Sequence, residues 1–302
     1  MTSRTLTAAP PRLTGGLALA SLGAIAFSGK AIIVKLAYRY GVDAVTLIML
    51  RMLFALPLFM LLAWWAGRGR PALMRRDWIA IAGLGFTGYY LASFLDFAGL
   101  AYVSASFERL ILYLNPTLVL LLGLVLFKRR IAARQAISLA VSYAGVLLVF
   151  GHELTLSGRN VLLGAALCFI SAVSYAIYLV YSGEEVKRLG ALRLTGLATM
   201  VACVFCILQF LVLRPISAAI SVAPQVIWLS LLNATLCTFA PVLMVMMAIE
   251  RIGPGIAAQT GMIGPVSTIL MSVLILGEPF TPWMAAGTVL VMSGIWLLAR
   301  WR

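Results

Sequence analysis

Charge is scarce in this 302-residue sequence: 11% of residues are charged, Asp and Glu together number 9, and there is one histidine. Soluble domains carry about a quarter charged residues and roughly half apolar ones. Here 63% of residues are apolar and mean hydropathy is +1.06. That excludes a soluble globular domain, a disordered chain and a collagen-like repeat. With His152 as the sole histidine and no Cys/His cluster or H-E-x-x-H run, no metal site is expected. No G-x-x-x-x-G-K-[ST] loop is present, which rules out ATP binding by that route. A G-x-S-x-G nucleophile elbow is missing too. Cysteine is sparse: Cys168, Cys203, Cys206 and Cys237 all lie inside apolar runs. Cys203-x-x-Cys206 has redox spacing without the βαβ context that would support it, so these are read as small buried hydrophobes. No cofactor is expected.

Long apolar runs are what the sequence does have. They fall near residues 14–37, 44–66, 77–101, 104–127, 132–151, 158–182, 194–214, 223–249, 252–277 and 281–300. A membrane helix needs about 20 apolar residues, so ten spans use nearly the whole chain. The expected fold is an all-α membrane protein of ten transmembrane helices. The first run has no convincing small-residue cleavage site after it and is read as a retained helix. Residues 1–13 form a polar tail.

Basic residues fall in alternate gaps. Arg68, Arg70, Arg75, Arg76, Lys128, Arg129, Arg130, Arg134, Lys187, Arg188, Arg193 and Arg251, with Arg4, Arg12, Arg300 and Arg302 of the tails, make 16 on one side; Lys35, Arg39, Arg159 and Arg214 make 4 on the other. The bias toward the cytoplasm predicts both termini inside. The net charge of +14 is therefore a topology signal, and nucleic acid is not an expected partner.

A weak internal repeat appears at an offset of 149. Pro116 falls on Pro265, Gly145 on Gly294, Ala136 on Ala285, Leu121 on Leu270 and Leu148 on Leu297. Each half then holds five spans, 14–152 and 158–302. Because five is odd, the second half runs inverted to the first, a plan common among secondary transporters.

Ionisable residues within spans are costly and default to functional candidates. Lys30, Asp96, Glu108 and Arg109 are the candidate set, at similar depth near the non-cytoplasmic face. With Arg51 they sum to one spare positive charge, suited to a substrate carboxylate. The structural alternative is an ion-pair network in which Lys30 and Arg51 snorkel to the headgroups. The second half offers Asn233, Thr235, Thr238, Gln259 and Thr260 in place of charge. Tyr89, Tyr90, Tyr113, Tyr175 and Tyr178 are candidates for a cavity wall that suits amphipathic solutes. Asn115 joins this set, next to Pro116. Pro116 and Pro265 are candidate hinges: each removes one helix hydrogen bond, freeing the carbonyls of Leu112 and Gly261. The stripes Ser138/Ser142 and Gly253/Ala257/Gly261 read as close-packing faces.

The sequence resembles the EamA branch of the drug/metabolite transporter superfamily. The resemblance rests on Gly264-Pro265, on Leu276-Gly277-Glu278-Pro279, and on Gly287 to Gly294. In the first half it rests on Lys35 and Leu50-Arg51-Met52. The first half departs from the pattern, with Phe127-Lys128-Arg129 in place of the "G-E" turn and Phe27-Ser28-Gly29 in place of a Trp-Gly pair. The resemblance implies a carrier of the bacterial inner membrane, often an exporter of amino acids or related metabolites; the YddG-type aromatic amino-acid exporters are the nearest analogue. It implies a small-molecule substrate moved between the two halves, and no catalytic residues. A multidrug or nucleotide-sugar carrier, a membrane enzyme acting on lipid-linked substrates, and a scaffolding subunit are the alternatives. Oligomeric state is not legible.

Overall fold

The computed structural model describes residues 11–127, 132–157, 160–261 and 263–300. The described chain is helical throughout. Helix α1 spans Pro11–Tyr38, α2 Ala44–Gly67, and α3 Arg75–Leu100. α4 is formed by Ala105–Leu112 and Asn115–Phe127, α5 by Ala133–Ser157, and α6 by Asn160–Leu189. α7 spans Ala191–Leu213. α8 runs through Pro224–Ala234, Thr235–Phe239 and Ala240–Thr260. α9 is Ile263–Leu276 and α10 is Pro282–Arg300. Nine described helices are long and apolar enough to cross a membrane, and Ile263–Leu276 is a shorter tenth.

Among the boundaries that differ from the sequence expectation, two have a plain physical cause. The first helix starts at Pro11, inside the predicted tail, because proline at a helix start gives up an N–H that has no partner there. The expected ninth span, 252–277, is not one helix. The backbone stays helical from Ala240 to Thr260, turns at Gly261, and resumes at Ile263. Pro265 supplies the reason, since it cannot donate to the carbonyl of Gly261.

The ends are fixed by polar groups. Asp43 caps α2, accepting from the backbone N–H groups of Val45 (3.0 Å) and Thr46 (3.3 Å) and from the Thr46 hydroxyl (2.6 Å). Burial pushes its carboxyl up, but these donors and nearby Arg214 outweigh that and hold it below the usual carboxylate range. Trp64, Trp65, Trp78 and Trp296 are exposed near helix ends, as interface-seeking rings should be.

Helix pairing repeats between the halves. The main partners are α1 with α8, α3 with α6, α2 with α7, and α5 with α10; α9 leans on α1 as α4 leans on α6. Moving every helix five places along the chain maps this set onto itself. Local irregularities recur as well. Wide π-type turns occupy Gly85–Leu91 in α3 and Thr235–Phe239 in α8; an offset of 149 carries the first onto the second. The same offset carries Leu112, just before the break at Tyr113–Leu114, onto Gly261, where the second half turns.

Small residues let the paired helices touch. At the α5–α10 crossing, a Cβ on Gly145 would fall 2.7 Å from the Gly287 carbonyl, and one on Gly294 would fall 2.8 Å from the Ser138 carbonyl. The Ser138/Ser142 stripe therefore faces the Gly287/Gly294 stripe. Side chains placed there meet backbone, which cannot yield. Gly294→Val is expected to destabilise the purified protein by about 1–3 kcal/mol, as overpacked cores do, read as earlier thermal unfolding in detergent. The same change at exposed, unpacked Gly151 is expected to cost much less.

Candidate functional site

The in-span charges converge. Lys30 of α1, Asp96 of α3, and Glu108 and Arg109 of α4 are all buried, Glu108 with no exposure at all. The Lys30 ammonium donates to Asp96 Oδ2 at 2.6 Å. Lys30 and Arg109 both face the Phe27 ring, at 5.5 and 5.8 Å from its centroid. Arg51 of α2 is 3% exposed and lies 4.6 Å over the Phe97 ring. Neither Lys30 nor Arg51 snorkels; the bundle encloses both, and that reading of the sequence is corrected. The second half closes the group: Cys237 of α8 lies within electrostatic reach of Lys30, Arg109 and Arg51.

This cluster is polar but incompletely satisfied. Among the described residues, Glu108 Oε1 and Oε2, Asp96 Oδ1, Arg109 Nε and Nη2, and Arg51 Nε have no hydrogen-bond partner. Buried polar groups in native structures are almost always paired. Asn233 of α8, 1% exposed, likewise has both amide atoms without a partner among the described residues.

The start of α4 carries Glu108 in its first turn and Arg109 just after it, and its position is set from both halves. Ser104 accepts from the Phe107 N–H at 3.2 Å and donates to Glu153. Glu278, after α9, accepts from the N–H groups of Ala105 (2.7 Å) and Ser106 (3.2 Å) and from the Ser106 hydroxyl (2.9 Å). Ser106 and Ser272 hydroxyls lie 2.5 Å apart. A carboxylate on a helix N-terminus is stabilising, so Glu278 ties the second half to the helix holding the charges. Beside it a cavity of about 370 Å³, lined by Lys35, Tyr38, Arg39 and Glu278 among others, opens at the end formed by the α1–α2, α3–α4 and α9–α10 turns. Sequence reasoning noted Glu278 only as part of a turn; its reach to α4 had no local signal.

Both proline breaks are satisfied by side chains. Asn115 Nδ2 donates to the Leu112 carbonyl at 2.7 Å, and the Tyr113 hydroxyl donates to the Gly261 carbonyl at 3.1 Å. These are the two carbonyls that Pro116 and Pro265 free. Ser28 of α1 donates to the Gly264 carbonyl at 2.8 Å. Tyr113 thus links the break in one half to the break in the other, and a methyl on Gly264 would overlap its hydroxyl. Tyr113→Phe removes one of two donors to the Gly261 carbonyl, the Gly264 N–H at 3.0 Å being the other, and is expected to cost about 1 kcal/mol. Gly264→Ala is expected to cost more, and combining the two less than their sum, because removing the hydroxyl makes room for the methyl. Thermal unfolding of the three variants checks the order.

The tyrosines divide. Tyr89 and Tyr178 share a hydrogen bond at 3.0 Å, and Tyr175 stacks on Tyr178 at 5.5 Å. They pack with Ile81, Leu84, Leu189 and Leu194, toward the opposite end of the bundle from the 370 Å³ cavity. Tyr90 lies apart, against Phe86 and Phe205. No single tyrosine-lined wall joins these to the charges; only Tyr113 sits near them. Thr260 bonds back to Ile256 of its own helix at 2.9 Å, as Thr235 does to Leu231 at 2.8 Å. The Gln259 side chain lies outside the described residues; Ala257 of the small-residue stripe is buried against α1.

Comparison with known proteins gives the family. Residues 14–151 and 162–300 each match the EamA-like transporter family. A Bacillus subtilis protein described as "Uncharacterized transporter YcbK" is 30% identical over 267 residues, covering 85% of this chain and 84% of its own length. An Archaeoglobus fulgidus "Uncharacterized transporter" is 22% identical, with 92% and 95% covered. A solved crystal structure aligns with a TM-score of 0.63 at 16% identity, over 95% of this chain and 97% of its own; that likeness concerns the fold alone.

Proposed function

This chain belongs to the EamA-like transporter family, and from that premise we propose that it moves a small carboxylate-bearing metabolite, best an amino acid, across a bacterial cytoplasmic membrane. The chain is a multi-pass membrane transporter; substrate and route are the inference. The observation that carries it is the open guanidinium edge of Arg109, buried beside Lys30–Asp96 where the halves meet. An arginine fork matches a carboxylate better than any other anion of metabolite size except phosphate. The orphaned amide of Asn233 suits the amino or polar end of the same solute. A family of transporters gives no support to the reading as an enzyme on lipid-linked substrates.

Alternating access follows from the two-part build. The repeated pairing pattern and the two breaks at one offset support halves of inverted topology that rock about Pro116 and Pro265. The excess of basic residues supports termini on the cytoplasmic side. In that orientation the Glu278 tie to α4 and the 370 Å³ cavity face outward, and the charges lie one to two helix turns below. Export, aromatic amino acids foremost, is the direction the resemblance favours. Purified protein in liposomes loaded with labelled amino acids tests the reading: efflux above protein-free liposomes is expected for at least one. No efflux of any amino acid, with efflux of amines lacking a carboxylate, would shift it to the multidrug alternative.

A further inference from the structure

We propose that Glu108 is a proton-binding site, and that its proton is what leaves Arg109 free to take a substrate carboxylate. The inference deepens the reading above and rests on it only for the second clause.

The geometry is that of two carboxyl groups with no donor between them. Asp96 and Glu108 adjoin closely enough to share a hydrogen bond when one carries a proton. Yet Asp96 Oδ1 and both Glu108 oxygens lack a donor among the described residues. An ionised carboxyl only accepts; a protonated one also donates. Asp96 already has its ammonium, Lys30 at 2.6 Å, so the proton belongs to Glu108, which has no exposure and no ion pair among the described residues. A proton on Glu108 then donates to Asp96 Oδ1 and supplies the missing contact. A buried carboxyl without a partner is far cheaper neutral than charged.

The surroundings agree. Charged and titratable groups surround this point on several packed elements, with Tyr38 of α1, Tyr113 of α4 and the thiols of Cys203 and Cys206 of α7 also close to its charges. The others are Lys30 and Lys35 from α1, Arg51 from α2, Asp96 from α3, Arg109 on α4 itself, Glu153 from α5, Cys168 from α6, Cys237 from α8, and Glu278 after α9. Lys30 is spent on Asp96, Glu153 on Ser104, and Glu278 on the α4 N-terminus. Arg51 stacks on Phe97. Lys35 lines the 370 Å³ cavity, and Cys168 and Cys237 are thiols. Besides these, Glu108 and Arg109 remain, adjacent on one helix. With Glu108 ionised, the Lys30, Asp96, Glu108 and Arg109 charges sum to zero, and an incoming carboxylate must compete with Glu108 for the guanidinium. With Glu108 protonated the sum is +1, and Arg109 Nε and Nη2 are open.

Proton and carboxylate therefore bind together, each tightening the other by the same factor. The cycle balances simply. Water on one side delivers a proton to the Glu108 carboxylate; after the switch the O–H bond breaks and the proton returns to water on the other side, with one carboxylate carried alongside. A consequence is directional. An inward proton gradient opposes export, so export runs only down the substrate's own gradient.

Two measurements decide it. Infrared difference spectra of the purified protein in nanodiscs at neutral pH should show the carbonyl stretch of a protonated carboxylic acid, and Glu108→Gln should remove it. Gln keeps the shape and a donor toward Asp96, so the variant is expected to fold; its thermal unfolding verifies that. A wild type with no such band, or a band that persists in Glu108→Gln, overturns the proposal. In the second, liposomes are loaded with labelled L-phenylalanine and a proton-sensitive dye. Wild-type efflux should carry protons out and slow about tenfold for each pH unit once Glu108 ionises, whereas Glu108→Gln efflux should be flat with pH and move no protons. Phenylalanine efflux without proton movement in the wild type overturns the coupling and leaves the carrier reading intact. Absence of any amino-acid efflux with the infrared band present removes the carrier reading and leaves the proton site intact.

Discussion

Arg109→Gln is expected to reduce carboxylate flux in liposomes by more than about tenfold while leaving thermal unfolding nearly unchanged. The asymmetry follows from what the guanidinium touches. Its Nε and Nη2 groups have no partner among the described residues, so the folded protein loses little when they go. A bound carboxylate loses charge-assisted hydrogen bonds worth about 1.5–3 kcal/mol, and 1.4 kcal/mol is already about tenfold. Arg109→Lys should recover only part of the flux, because an ammonium keeps the charge but not the planar fork. Flux within twofold of wild type in Arg109→Gln would remove this residue from the substrate path.

Asp96 behaves in the opposite way. Asp96→Leu leaves the Lys30 ammonium buried with no counter-charge, and breaking a buried pair from one side costs about 3–5 kcal/mol. Loss of yield and much earlier unfolding in detergent are expected, read as a rate where unfolding is irreversible. Removing both partners is cheaper: Lys30→Met with Asp96→Leu should recover most of the loss, since apolar replacement of a buried pair is often neutral. The double variant also removes the acceptor for the Glu108 proton, so it should fold and still transport poorly. A single Asp96→Leu protein as stable as the wild type would mean that Lys30 reaches water, against its burial.

Much of this was legible beforehand. Lys30, Asp96, Glu108 and Arg109 stood out because in-span charge is rare, and a helix rise of about 1.5 Å per residue put them at one depth. The freed carbonyls of Leu112 and Gly261 followed from proline chemistry, and the structure shows what satisfies them. Arg51 stood open to two readings: a long side chain near a span end can reach the headgroups or fold inward, and spacing does not say which. The tyrosines were grouped by depth alone, yet Tyr89, Tyr175 and Tyr178 share one corner while Tyr90 joins Phe205. Depth is one coordinate; the azimuth of a helix against its neighbours is another, and apolar runs that are greasy on every side carry almost no signal for it.

Composition and run length alone determined that this chain is a bundle of about ten membrane helices, because backbone in lipid must bond within its own segment. The offset of the two prolines determined where each half breaks. Only the tertiary structure decided which charges become partners: Lys30 takes Asp96, Glu278 crosses from the other half to cap α4, and Glu108 and Arg109 are left open. Those pairings join residues 66 to 173 positions apart. They are set by how helices rotate and pack, a long-range outcome that no local pattern encodes.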